Sequence, residues 1–292
     1  MPTNGLLDGQ AGAHIFQDFP GERALFTRGL VVQPALFNTH RRIILNMETE
    51  ILQRIRSINH EFYQTFADSF AETRARLQPG VERLMPSIAN ATRILELGSG
   101  NGGLISALLK HGFKGHYLGL DLSERMLAIA RAAVQDTSQV SFHQMELGKG
   151  DLSAQIRKAT AQAVHPPYDQ LVCFATLHHI PGHAVRERLV RELRKLTDDG
   201  GRLYLSVWNF MQSERLRARV LPWDIVGIDE RAVEPGDYLI DWRRDGEGIR
   251  YVHHFTEGQL VQLAEQAGFH VRESFTSDGE TGNLGLYQIW ET

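Results

Sequence analysis

The sequence predicts an α/β protein built on a mostly parallel, seven-stranded sheet, with helices on both faces and an antiparallel edge strand. Three observations predict it. The first is Arg93–Gly103, RILELGSGNGG, where a short apolar run breaks into a glycine loop and then into the helical segment Leu104–Lys110. Strand, loop and helix N-terminus in succession make a small-ligand cradle. Glycine lets the backbone approach closely, and the first N–H groups of a helix face outward. The second is Tyr117–Asp121, YLGLD, a strand ending in an acid at about the separation at which nucleotide-binding folds place a ribose-binding carboxylate. The third is that apolar runs alternate with amphipathic segments through Leu171–Phe174 and Arg202–Phe210, until Phe269–Phe275 and Leu284–Trp290 end the chain as two strands in succession. The pattern is Rossmann-like.

At 292 residues and 42% hydrophobic, the chain can bury one full α/β core and an appendage. No apolar run approaches the roughly 20 residues that span a bilayer, and no basic-then-apolar leader pattern opens the chain. A membrane is therefore not an expected partner, and a cytoplasmic location is. The single Cys173 excludes an intramolecular disulfide and a cysteine zinc site. Net charge is −4 and the pI about 6.4, so bulk electrostatics do not advertise nucleic-acid binding. A local basic patch or a small activating partner subunit would have to supply it.

Residues 1–46 carry scattered Gly and Pro without sustained periodicity and read as a poorly ordered extension, with Met47 the expected true start. Helical spacing begins there: Ile51, Leu52, Ile55 and Ile58 share a face, and Phe62, Phe66, Ala67 and Phe70 continue it. Residues 47–88 are expected to form a helical cover within a single domain, 47–292. Ser123–Val134 opens on a helix-capping serine, and Val140–Phe142 is the third strand. Tyr168–Pro181, YDQLVCFATLHHIP, supplies a buried central strand and then two adjacent histidines, His178 and His179, at its carboxyl end. Open parallel sheets bind ligands there, so the histidines stand where chemistry is expected. Adjacent side chains diverge and no carboxylate or cysteine stands at ligand spacing, so no metal is expected. Residues 211–255 interrupt the alternation and are expected to form a lid, with Trp242, Arg243, Arg250, Tyr251 and His253 interleaving aromatics and cations. Such a mixture suits stacking on bases and pairing with phosphates, or a lid whose Trp packs inward.

Glu96, two residues before Gly98, would repel a pyrophosphate but suits a ligand bearing an ammonium and a sulfonium. With E-x-G-x-G as its loop, the sequence resembles the class I S-adenosylmethionine (SAM) methyltransferases; the competing reading is a nicotinamide-binding domain. The resemblance implies SAM as cofactor, held by Glu96, Gly98, Ser99, Gly100, Asn101, Asp121, Leu122, Phe174 and Glu146, the last at the adenine amino group with Asp151 as fallback. It narrows at Tyr63, Ala67, Phe70, Thr73 and Arg74, and again at Asp237–Trp242 and Arg250–Phe255. These groups resemble the tRNA wobble-uridine (5-carboxymethyluridine) carboxyl methyltransferases. The resemblance places Arg74 in the active site, as a guanidinium clamp on a carboxylate, with His178 or His179 donating a hydrogen bond. Ser99 and Gly103 stand where that family usually has Cys and Lys. The expected acceptor is a carboxylate of a tRNA wobble uridine. The alternatives are a small-molecule O- or N-methyltransferase and a non-catalytic SAM-binding partner subunit.

Overall fold

The computed structural model describes residues 34–73, 76–134, 138–160 and 165–292, with side chains from residue 49 onward. The compact unit that carries the site is Ile43–Thr292. Its main sheet has seven strands: β1 (Arg93–Leu97), β2 (His116–Asp121), β3 (Val140–Gln144), β4 (Tyr168–Phe174), β5 (Thr197–Trp208), β9 (His270–Ser277) and β10 (Gly285–Glu291). Their order across the sheet is β3-β2-β1-β4-β5-β10-β9. β1 pairs in parallel with both β2 and β4, as the apolar runs predict. Leu95, Leu97, Ile94, Leu171 and Val172 are fully buried there, which fits strands covered on both faces. The terminal hairpin closes the sheet: β10 runs antiparallel to β5 and is itself covered by β9. A nicotinamide-type domain would have kept the sheet parallel here.

The start of β1 is fixed by a side chain from its neighbour. The Asp169 carboxylate accepts the Thr92 and Arg93 backbone N–H groups, each at 2.6 Å. It therefore sets the level at which the glycine loop emerges beyond β1. Helices α4 (Gly103–Lys110), α5 (Glu124–Ala133), α6 (Leu152–Ala159), α7 (His183–Leu196) and α9 (Glu257–Ala267) cover the sheet. Ser123 caps α5, as predicted. Asp151 caps α6 by accepting the Ala154 N–H at 2.9 Å, so it is occupied as a helix cap rather than as an adenine ligand.

Three helices precede β1: α1 (Pro34–Thr65), α2 (Ala67–Thr73) and α3 (Pro79–Ile88). Helix α1 begins at Pro34, before the helical pattern that the sequence shows from Met47, and proline is well suited to a first helical turn. Of the extension expected over residues 1–46, residues 34–46 belong to α1, and residues 1–33 lie outside the described residues, as does Arg74.

The region 211–255, expected as a lid, holds a second, antiparallel sheet of β6 (Val220–Leu221), β7 (Asp237–Trp242) and β8 (Gly248–His253). A short helix, α8 (Glu214–Arg217), precedes it. Period-two alternation buries both faces. Leu239 and Tyr251 pack on Ile55 of α1, while Ile240 and Val252 pack on Phe210 and Leu216. The segment is a fixed roof.

Asp169→Ala should leave two backbone N–H groups of the β1 edge without their acceptor. Denaturant unfolding is expected to show a loss of about 1–3 kcal/mol.

Candidate active site

A cavity of about 890 Å³ opens beyond the carboxyl ends of β1, β2, β4 and β5. One end is the glycine loop. Gly98 and Gly100 have φ of +71° and +53°, and a Cβ on Gly98 would lie 2.0 Å from Thr176 Oγ1. Only glycine lets the chain turn there against the end of β4. Asp121 secures the loop by accepting the Gly100 and Ser123 N–H groups, each at 2.9 Å. Each carboxylate oxygen retains a second lone pair for a ligand hydroxyl. Burial raises the Asp121 pKa above its ordinary value, against the lowering by these N–H groups.

Glu96 lines the same wall and is 5% exposed. Tyr117 donates its phenolic O–H to it. Burial, opposed by the Tyr117 hydrogen bond and aided by the nearby Asp121 charge, pushes the Glu96 carboxyl up to about 8. A carboxyl so held lacks a cation. The donor set therefore fits SAM: two hydroxyl-accepting oxygens at Asp121, an acid wanting an ammonium at Glu96, and a backbone cradle that a Cβ would fill. Ser99 Oγ, buried beside them, has no hydrogen-bond partner among the described residues. Asn101, Leu122 and Phe174 also line the cavity, as does Glu146. Glu146 is engaged by Lys149 at 3.2 Å and Arg56 at 3.8 Å, so an adenine amino group would compete with two cations for it.

The other end of the cavity is framed by Asn59, Tyr63, Phe70, His179, Trp208 and Tyr287. His178 and His179 occupy a tight turn, Leu177–His179, with their ring centres 4.2 Å apart. Only His179 reaches the cavity. His178 is 2% exposed, and its Nδ1 accepts the Trp208 N–H at 3.3 Å. That corrects the expectation for His178: its contact orders the end of β5. His179 Nδ1 lies 3.1 Å from the Tyr251 carbonyl, which can only accept, so Nδ1 carries the proton. In the neutral ring Nε2 is then the acceptor, and it takes the Tyr63 O–H at 2.8 Å.

Sequence reasoning missed Asn59. This buried side chain accepts the Tyr251 N–H at 2.8 Å and donates to the carbonyls of Tyr251 and His179, each at 3.2 Å. The signal was a polar residue on the apolar face of a helical pattern. Most of the residues expected at the acceptor prove to be framework. Trp242 is 8% exposed and packs on Phe62, Phe66 and Phe70. Arg250 is buried with its guanidinium 4.6 Å from the Trp208 ring centre. Tyr251 and His253 hydrogen-bond to Asp237 at 2.7 and 2.6 Å, away from the cavity wall. Arg243 alone of the five is exposed. Glu234, Asp237 and His253 approach one another as metal ligands would, but Arg186 sits among them, 2.7 Å from Glu234 and 3.5 Å from His253 Nε2. A guanidinium already supplies the positive charge.

Cavity and cradle together define a methyltransferase of the SAM-dependent class. Residues 69–274 match the family described as a methyltransferase domain, and the chain belongs to it. It is 26% identical over 223 residues to a protein of Encephalitozoon cuniculi carrying the name methyltransferase, covering 75% of this chain and 90% of that one. It is 22% identical to the tRNA (carboxymethyluridine(34)-5-O)-methyltransferase of Schizosaccharomyces pombe, over 73% of this chain and 89% of that one. The enzyme of the same name from Arabidopsis thaliana is 25% identical over 53% of this chain; the match spans only 33% of that protein. The ubiquinone biosynthesis O-methyltransferase of Leptothrix cholodnii is 29% identical over 58% of this chain and 70% of its own. Among solved structures, the magnesium protoporphyrin IX methyltransferase of Synechocystis, which holds S-adenosylhomocysteine, shares the fold. Its TM-score is 0.55 at 16% identity, over 81% of this chain and 98% of that one.

Glu96 should titrate near 8 in the ligand-free protein, against 4.5 as its ordinary value. The folded chain then holds an extra proton between those values. Its contribution to stability is complete below about 4.5 and is lost as pH rises toward 8. Tyr117→Phe removes the one lowering contact. Carbon NMR of the Glu96 carboxyl should show its titration moving further up.

Proposed function

We propose that this methyltransferase transfers the SAM methyl group to the carboxylate of a modified uridine at the tRNA wobble position. One observation carries the reading. Tyr63 and Phe70, from the narrower of the sequence motifs, stand with His179 on the wall of the cavity that also contains the cofactor cradle. The relatives from S. pombe and A. thaliana named for that reaction support it. When bound, SAM supplies an electrophilic methyl on a positively charged sulfur. Asp121 would accept from its ribose hydroxyls, Glu96 would pair with its ammonium, and Glu146 would border its adenine.

A carboxylate acceptor is ionised at pH 7 and needs no general base. The residues then contribute alignment and the exclusion of water. Arg74 acts as the planar clamp on the acceptor, while the one Tyr63 O–H stays on His179 Nε2. Neutral His179 cannot donate from Nε2, so it orients Tyr63. Pairing that was too strong would stabilise the ground-state anion and slow the reaction, so contacts that fix geometry are the useful ones.

The Tyr63–His179 contact itself favours one other reading, a hydroxyl acceptor on a small molecule. The acceptor proton would pass to Tyr63 as the Tyr63 proton passes to His179 Nε2, and the imidazolium would keep its Nδ1–H on the Tyr251 carbonyl. The L. cholodnii relative is named for such a substrate class.

SAM affinity should rise about tenfold per pH unit between about 6 and 7.5, because binding the ammonium requires Glu96 to release its proton. Calorimetry in buffers of differing ionisation enthalpy should detect that release; a pH-independent affinity would exclude Glu96 as the ammonium partner.

Labelled SAM offered to bulk tRNA and to a metabolite extract tests the acceptor. The carboxylate reading expects label in tRNA and, with SAM saturating at every pH, a rate that is flat from about pH 6 to 9. It expects Tyr63→Phe to cost about tenfold or less, the one neutral hydrogen bond that orients His179. Label in a small phenol, with a rate rising through the His179 pKa and a loss of about 10²–10⁴ in Tyr63→Phe, would instead establish the hydroxyl reading.

A further inference from the structure

Beside the cavity lies a second concavity, of about 390 Å³, lined by Thr73, Arg215, Arg219, Trp242, Arg243 and Arg244. We propose that this arginine groove holds a phosphodiester of the RNA strand flanking the acceptor nucleoside, an inference that rests on the tRNA reading above. The chain's net charge of −4 gives no hint of it, because the cations are gathered locally.

The groove is built rather than incidental. Arg219 and Arg243 both bond to Asp241, the former at 2.5 Å. Arg219 Nη2 also donates to the Asp241 carbonyl at 2.9 Å, and the Asp241 N–H donates to the Arg219 carbonyl at 3.1 Å. Burial raises the Asp241 carboxyl, but the two arginines outweigh it and hold the group below its ordinary pKa. One carboxylate thus organises two guanidiniums and neutralises one of them. Arg244 is paired with Glu72 at 2.8 Å and lies 3.9 Å from Asp245. Arg215 is exposed and bonds to none of the described residues. Four guanidiniums therefore meet three carboxylates, and an excess positive charge remains.

The chemistry of the lining selects an anion. Apart from the Thr73 hydroxyl, every polar side-chain group on it is an N–H donor. The Trp242 indole N–H is buried on this wall with no hydrogen-bond partner among the described residues. The Trp242 ring is packed against three phenylalanines, which fixes it as a wall of the groove. Guanidinium forks match phosphate oxygens. The position suits a strand that continues out of the active site. Phe70 lines the catalytic cavity, and its ring centre is 6.1 Å from that of Trp242, which lines the groove. One aromatic layer separates them.

The test is fluorescence anisotropy with a labelled tRNA anticodon stem-loop over a range of salt. Full-length protein is compared with Arg215→Glu/Arg243→Glu and with the milder Arg215→Gln/Arg243→Gln. SAM calorimetry reports that the fold is intact. The expected result is stem-loop affinity weakened about tenfold or more, with SAM affinity retained. The salt slope should fall by about one for each phosphate that the variant no longer neutralises. Unchanged affinity and slope in both variants, with the wild type still binding the stem-loop, would overturn the groove and leave the tRNA reading standing. Displacement of the stem-loop by equimolar inorganic phosphate would assign the groove to a free anion and overturn the phosphodiester. A wild type that shows no salt-dependent binding to the stem-loop would refute the tRNA reading itself.

Discussion

The backbone of Tyr251 is the point on which the acceptor end of this enzyme depends. Its N–H and carbonyl are both held by Asn59 from α1, and the same carbonyl takes the Nδ1–H of His179 from the turn after β4. Three segments far apart in sequence thus meet at the backbone of one residue. Its side chain extends the lock, since the Tyr251 hydroxyl bonds to Asp237, which bonds in turn to His253. Arg186 closes the circuit by joining Glu234 to the Ile180 carbonyl. A buried network of this kind is costly if any member is removed, because the remaining polar groups cannot recover their hydration. The second sheet is therefore less a cover over the site than the piece that sets the ring state of its histidine.

The cofactor end follows a different logic. Glu96 and Asp121 place two buried acids near each other with no cation between them, and Glu96 responds by holding its proton. The Asp121 charge is itself one of the causes. A ligand that brings a positive charge would relieve this conflict, so the electrostatics of the wall amount to a preference for a cationic ligand. The sheet is what maintains the conflict. Leu95 and Leu97, on either side of Glu96 in β1, are fully buried, and the carboxyl cannot turn out to water.

Much of the sheet was legible because its signals are local. Apolar runs, glycines and a terminal acid name β1, its loop and β2, and parallel strands between helices leave few alternative orders. The cofactor wall was legible for the same reason. The acceptor wall was not, since it is made by long-range contacts among residues that look ordinary in sequence. Asn59 reads as a polar interruption in an amphipathic helix. Tyr251 and His253 read as exposed recognition residues until β7 and β8 pair and bury them. The Asp245-Gly246 turn between those strands, with φ of +56° and +131°, is a hairpin signal that the surrounding arginines obscured. Helix α1 begins at Pro34 although its first turns lack a clear apolar stripe.

The claim that the second sheet fixes the state of His179 is tested most directly by nitrogen NMR of that imidazole in the ligand-free protein, above its pKa. The Tyr251 carbonyl requires Nδ1 protonated and Nε2 bare, and Asn59→Ala, which loosens that carbonyl, should blur the preference. A ring protonated at Nε2, or one indifferent to Asn59→Ala, would contradict the account.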